Sequence, residues 1–135
     1  MAGFLCDYSN NKVLDLFFGG STFSPPATVY FGLSQNTANK NGYVTEPIGG
    51  GYIRIAVANN LTIFPAASFG TKSNGTVITF SSPTADWGTI QSLFIADAAT
   101  NGNVLAMADL TSSKALPSGT SAPKIAVSAL FLSHS

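Results

Sequence analysis

Residues 90–110 read IQSLFIADAATNGNVLAMADL and decide the fold, because two apolar runs of strand length flank a cluster of turn residues. The runs cover residues 90–96 and 104–110. The segment between them, residues 97–103, carries the pair Asn101-Gly102, which favours the tight turn of a β-hairpin. The stretch therefore predicts two neighbouring antiparallel strands joined at their Asn-Gly tip.

Outward from this hairpin, further strands are predicted where apolar residues alternate between turn residues. They cover residues 27–33, 52–58, 76–80 and 124–133, with a short edge strand at 62–65 that Pro65 stops. The segment 124–133 is apolar on both faces, which predicts a strand covered on both sides.

Residues 10–18 predict a short helix. Ser9 or Asn10 can cap its start, and Gly19 can end it. Four apolar side chains at helical spacing predict one side that packs on a sheet: Val13, Leu14, Phe17 and Phe18.

The resulting fold class is mainly β: an antiparallel β-sandwich or jelly-roll-like module with one short N-terminal helix. The length of 135 residues predicts a single domain at 10–135, preceded by an N-terminal arm at 1–9. Within the domain, residues 34–51 form a long loop, of a length that is usually functional or interfacial. The arm and this loop are the predicted contact segments. The absence of repeats and heptads predicts that the chain has no elongated shaft.

Charged residues make up only 9% of the chain, against about 25% in an average soluble protein. Hydrophobic residues make up 45%, the mean hydropathy is +0.28 and the net charge is zero. This composition predicts self-association, because little charge opposes it. No apolar run reaches the roughly 18 residues of a membrane helix, so no membrane insertion is predicted. The six scattered Lys and Arg residues predict no nucleic-acid partner.

The three glycines at 49–51 precede a strand-like run and no lysine follows them, which argues against a phosphate loop. They are expected to turn the chain sharply into the next strand. Arg54, the only arginine, points away from Ile53 and Ile55. It is predicted to pair with a carboxylate such as Glu46, Asp86 or Asp97, to contact a neighbouring subunit, or to anchor a ligand.

No catalytic, cofactor or metal site is predicted, and the chain is not expected to be an enzyme. The one histidine, His134, stands next to last, and the six carboxylates are not clustered. Cys6 is expected to be a plain thiol, with a bridge between two chains as the alternative. Tyr43 and Trp87 are the candidates for an exposed aromatic platform, although Trp87 is first expected to cap one end of the sandwich.

Several strings follow one another in a familiar order: NKVLDLFFGG at 11–20, PATVYFGLS at 26–34, GGGYIRIAV at 49–57, FPAA at 64–67, KSNG at 72–75, WGTI at 87–90, ADA at 96–98 and GNVLA at 102–106. Together they resemble a family of small tailed-bacteriophage virion structural proteins, often labelled tail fibre or minor structural proteins. The likeness spans residues 11–132. It implies a virion component, assembled in the host cytoplasm, and offers no catalytic residues.

The first hypothesis is therefore a non-enzymatic structural protein of the virion, a compact fibre or adaptor module attached to the tail or baseplate. Its partners are expected to be other copies of itself, with a trimer favoured, and other virion proteins. Two alternatives stay open: a capsid decoration (cement) protein, and a carbohydrate-binding module that recognises a host-surface glycan through Tyr43, Trp87 and Arg54.

Overall fold

Nine β-strands and one α-helix make up the regular structure of residues 1–134, the part of the chain that the computed structural model describes. In chain order they are β1 (Ala2–Leu5), α1 (Asp7–Phe17), β2 (Thr28–Ser34), β3 (Ile55–Ala58), β4 (Thr71–Ser73), β5 (Ile78–Thr79), β6 (Thr89–Ala96), β7 (Val104–Ala115), β8 (Lys124–Ile125) and β9 (Phe131–Ser133).

Seven strands form one sheet in the order β3-β2-β6-β7-β1-β9-β4, while β5 pairs with β8 in a separate ribbon. The predicted hairpin is β6–β7, which occupies the middle of this sheet. Asn101 and Gly102 both adopt positive φ, 55° and 71°, as a tight hairpin turn requires. Neighbouring strands run antiparallel except β1 and β9, which are parallel.

The main core lies on one face of the large sheet. Phe31 and Leu93 of the sheet pack there with Ile78 and Ile125, which the β5–β8 ribbon supplies. A smaller cluster on the other face gathers Cys6, Phe94, Ala96 and Met107. The protein is thus mainly β and sandwich-like with one short helix near its N-terminus, and the predicted fold class is confirmed.

Residues 1–9 differ from the predicted arm, because β1 is an inner strand of the sheet between β7 and β9. Gly3 allows β1 to fit between its two neighbouring strands, because a Cβ atom at position 3 would come within 2.7 Å of Leu132 and 3.0 Å of Ala108. The helix follows directly, beginning at Asp7 rather than at the predicted residue 10.

The helix does not pack as its sequence predicts. Its first turns contact β1 and β7, where the Ser9 hydroxyl donates to the Leu105 carbonyl at 2.7 Å. The second half extends past the sheet, so the side chains of Phe17 and Phe18 are 73% and 80% exposed. Asn10 is the one buried residue of the helix.

Two predicted strands differ in the structure: one is a turn, and the other is interrupted by a turn. Residues 62–65 belong to a turn whose start is capped by Asn60, since its Oδ1 accepts the Thr62 and Ile63 N–H groups. The predicted strand 124–133 is interrupted between β8 and β9. Buried Asn74 holds this interruption: its Nδ2 donates to the Ala126 carbonyl and its Oδ1 accepts the Leu130 N–H.

Candidate interaction surface

Arg54 joins two loops at one end of the sheet, the β2–β3 loop and the β6–β7 turn. Its guanidinium forms a two-pronged ion pair with Glu46, with Nε–Oε1 at 3.0 Å and Nη2–Oε2 at 2.9 Å. Nη1 donates to the carbonyls of Ala98, at 2.7 Å, and Asn101, at 2.9 Å, in the β6–β7 turn. Only 4% of the Arg54 side chain is exposed. Of the three predicted carboxylates, Glu46 is the partner, and four of the five guanidinium N–H groups have acceptors in the same chain.

The glycine triplet brings Arg54 to this position. Gly49, Gly50 and Gly51 all adopt positive φ, which side chains rarely tolerate. The carbonyl of Gly50 accepts both the Trp87 indole N–H and the Thr84 backbone N–H, at 2.9 Å each. The loop that begins after β2 is therefore anchored at its end to residues 84–87. From this fixed point the chain enters β3 through Arg54, whose contacts with Glu46, Ala98 and Asn101 are called the clamp below.

The guanidinium of Arg54 also lies over an aromatic ring, at 5.0 Å from the centroid of Phe94. Phe94 in turn lies against Gly32 of β2, where a Cβ atom would fall inside contact distance of the ring. Glycine at position 32 thus makes room for the ring that supports the arginine.

Trp87 is fully buried, which contradicts its candidacy as an exposed platform but not the first expectation that it caps one end of the sandwich. Its ring meets Tyr52 edge-on, with centroids 5.3 Å apart. The Tyr52 hydroxyl accepts the Leu33 N–H at 2.9 Å and donates to Glu46 Oε1 at 2.8 Å. Burial, chiefly, raises the pKa of Tyr52 well above its usual range, so this phenol stays protonated in the clamp.

Tyr43 is the exposed aromatic residue of the long loop, with 66% of it accessible. Its backbone is held in place by Asn39, whose Oδ1 accepts the Tyr43 N–H and whose Nδ2 donates to the Tyr43 carbonyl. Asn36 Nδ2 donates to the same carbonyl at 3.0 Å. The ring is therefore presented to solvent from a rigid loop.

Cys6 is a buried free thiol at the N-cap of α1. Burial, with a smaller contribution from Asp7, raises its pKa to about 11. Its Sγ lies 3.7 Å from the Asn39 carbonyl oxygen. In this fold the thiol is not presented to a second chain.

Exposed apolar side chains occur at several places, nearly all of them outside the predicted contact segments. Leu14, Phe17 and Phe18 form one patch at the end of the helix, where the two phenyl rings lie 6.4 Å apart. Others lie on loops and strand ends: Ile48, Ile53, Leu61, Phe69, Val77, Val127 and Phe131. Alternation and helical spacing show which residues are apolar but not which apolar face lacks a partner. Outside the loop at 34–51, only the low charge therefore indicated this surface.

An open hollow of about 550 Å³ lies beside the clamp, with Ile48 and Ile53 on its walls. Among residues 1–134, no group of three or more His, Cys, Asp and Glu side chains is arranged to hold a metal ion. Within the same residues, no helix is long and apolar enough to cross a membrane.

The sequence matches a known protein family. The family model described as "Podophage GP4 fiber I protein gp80" matches residues 5–133, nearly the whole chain. No curated protein matches the sequence.

Proposed function

The chain belongs to the family of the podophage GP4 fiber I protein gp80, and from that premise we propose that it is a compact, non-enzymatic module of a phage fibre. In this proposal it is attached at the tail or baseplate and assembles with copies of itself and with other virion proteins. The observation that carries the proposal is the large number of exposed apolar side chains on a chain of zero net charge.

The exposed apolar patch at the end of α1 supports assembly. Monomeric proteins seldom expose clustered large apolar side chains, and such patches usually mark contact surfaces. Phe17 and Phe18 contribute little to packing within the chain, because they lie beyond the sheet that the helix contacts. A neighbouring subunit that covers them would remove this apolar area from water.

A structural rather than a catalytic role is supported by the state of the polar groups. The Arg54 guanidinium and the Glu46 carboxylate are committed to each other and to backbone carbonyls. The Tyr52 hydroxyl is fixed between Glu46 and the Leu33 N–H. The Cys6 thiol is held protonated by burial. These polar groups therefore hold parts of the same chain together.

The test is to locate the chain in purified virions. Particles separated into heads and tails are analysed by mass spectrometry, and the intact particle is reconstructed by electron microscopy. We expect the chain in the tail fraction, with density for this β-module at a fibre. Recovery with the heads at high copy number would support the capsid decoration alternative and refute the tail assignment. Absence from the particle would refute a virion role.

Host-surface glycan binding is a second candidate, because Tyr43 presents a rigid aromatic face to solvent. Sugar rings stack on such faces. Trp87 contributes nothing to this candidate, since it is buried. A glycan array probed with the assembled protein tests it. Binding that Tyr43→Ala abolishes and Tyr43→Phe retains supports a stacking platform, and an array that stays blank excludes it.

A further inference from the structure

The two edges of the seven-stranded sheet are not equally protected. At one edge, β4 carries Lys72 and is folded into a tight turn by the Ser68–Thr71 bridge. At the other edge, β3 consists only of Ile55, Ala56, Val57 and Ala58. Natural proteins usually guard exposed edges with charges, prolines or bulges, because unpaired backbone groups accept another strand. The edge at β3 has no such guard within the strand.

The register of the sheet defines which groups of β3 face outward. The Asn59 N–H donates to the Ala27 carbonyl at 3.0 Å, so Ala27–Asn59 is a hydrogen-bonded pair of the β2–β3 ladder. Such pairs alternate along an antiparallel ladder, which makes Val57 and Ile55 the next residues that bond to β2. The backbone N–H groups of Ala56 and Ala58 therefore point away from the sheet. Both residues are exposed.

An apolar side chain and a hollow flank this edge at each end. Ile53, 63% exposed, borders the hollow beside the Arg54 clamp. Leu61, 69% exposed, borders a second hollow formed with Pro25, Pro26 and Phe64. The outward carbonyl of Ala58 accepts the Asn60 N–H at 3.2 Å, whereas the outward N–H groups of Ala56 and Ala58 remain available between the two hollows. Available backbone groups between two side-chain hollows are the arrangement that recognises an extended strand.

Charge does not oppose a second copy at this edge. The strand has no charged residue, and Arg54 beside it is neutralised by Glu46. Lys72, which lines the second hollow, already donates to the Pro65 carbonyl at 2.9 Å. Two identical edges can therefore approach without placing unpaired like charges opposite each other.

We propose that β3 is a self-pairing edge, at which a second copy of the chain adds its own β3 in antiparallel orientation around a two-fold axis. The register that uses both outward residues places Ala56 of one copy opposite Ala58 of the other. It places Val57 opposite Val57 on the axis. It also brings Ile53 of each copy towards Leu61 of the other, so that two exposed apolar side chains cover each other at both ends.

This inference rests on the self-association proposed above and specifies one contact of it. An isologous contact joins copies in pairs. An assembly that combines it with the trimeric contact predicted from the sequence would therefore contain six chains. The small side chains of Ala56 and Ala58 leave the edge accessible on the outer face of β3.

The first test blocks the outer edge of β3 and leaves the hydrogen bonds between β3 and β2 in place. Ala56→Pro removes an N–H that faces outward, a place where edge strands tolerate proline. Ala58→Lys adds a guarding charge, and Ala66→Lys, at an exposed alanine outside the sheet, is its matched control. Masses are measured by light scattering at equal concentration, and circular dichroism verifies folding. We expect both edge variants to have half the wild-type mass and the control to keep it.

The second test determines which residues of the two β3 strands lie opposite each other. Under mild oxidation, Val57→Cys should form a covalent dimer, because a two-fold axis at residue 57 brings the two sulfurs together. Ala56→Cys should do so much less, and the wild type should not, since Cys6 is buried. Equal crosslinking of both variants, or none, overturns the register. A wild-type assembly that survives both edge variants overturns the edge proposal alone, whereas a monomeric wild type overturns self-association itself.

Discussion

Replacing Arg54 tests whether the clamp holds the fold together. Arg54→Met keeps most of the apolar stem and removes the guanidinium. The Glu46 carboxylate, 26% exposed, then loses its ion partner, and the carbonyls of Ala98 and Asn101 lose their donor. Breaking a buried pair by removing one member costs about 3–5 kcal/mol. Because Glu46 keeps some solvent, we expect the lower end of that range, about 3 kcal/mol of the free energy of unfolding.

Urea denaturation at fixed protein concentration measures this loss. With an m value of about 2 kcal/mol/M, the expected loss lowers the midpoint by about 1.5 M urea with little change in slope. Arg54→Lys is the informative control: it keeps the charge but cannot make the two-pronged contact, and it should recover less than half of the loss. The loss should also persist at high salt, because the guanidinium is shielded from solvent.

Two outcomes would refute the reasoning about the clamp. A loss below about 1 kcal/mol is what exposed ion pairs give, and would mean that water replaces the arginine. Full recovery by Arg54→Lys would mean that charge alone matters and that the fork geometry does not. The double change Arg54→Met with Glu46→Gln completes the cycle, and a coupling near zero would contradict a direct pair.

Three further predictions concern the sheet, the thiol and the helix patch. Gly32→Ala should lower the free energy of unfolding by about 1–3 kcal/mol in urea titrations, because the added methyl overlaps the Phe94 ring; an unchanged midpoint would mean that the ring moves freely. Cys6 should resist thiol reagents at neutral pH until urea unfolds the protein. Stability should fall as pH rises from about 9 towards 11, because the folded thiol keeps the proton that the unfolded thiol loses; rapid labelling of the folded protein would contradict this. Phe17→Ser with Phe18→Ser should change unfolding by less than about 0.5 kcal/mol yet reduce the assembled fraction in light scattering; a larger loss would mean that the patch packs within the chain.

The hairpin was predictable because its information is local. Two apolar runs and the pair Asn101-Gly102 specify β6, β7 and the turn between them without reference to the rest of the chain. The pairing of Arg54 with Glu46 was predictable as one of three, since a lone arginine among few carboxylates has few candidates. Which candidate it takes depends on how the glycine triplet folds the loop back.

The features that sequence patterns did not reveal depend on long-range packing. Strand β1 is four residues long and contains Gly3, so it has no alternation to detect, and its place follows from the space between Ala108 and Leu132. Asn74 beside Gly75 is typical of a turn in the sequence. Its amide also hydrogen-bonds to Ala126 and Leu130, and so holds a turn more than 50 residues away. The apolar side of α1 has helical spacing whether or not a sheet covers it.

The position of the clamp next to β3 has a consequence for specificity. An unguarded apolar edge on a chain with so little charge invites uncontrolled strand addition. Here the edge is bounded at both ends: the clamp at Arg54 ties the chain to the β6–β7 turn before the strand begins, and the turn capped by Asn60 follows it. Only Ala56 and Ala58 then offer outward groups within the strand. A partner strand has few registers in which to bond, so the same short edge that permits pairing also limits it to one neighbour.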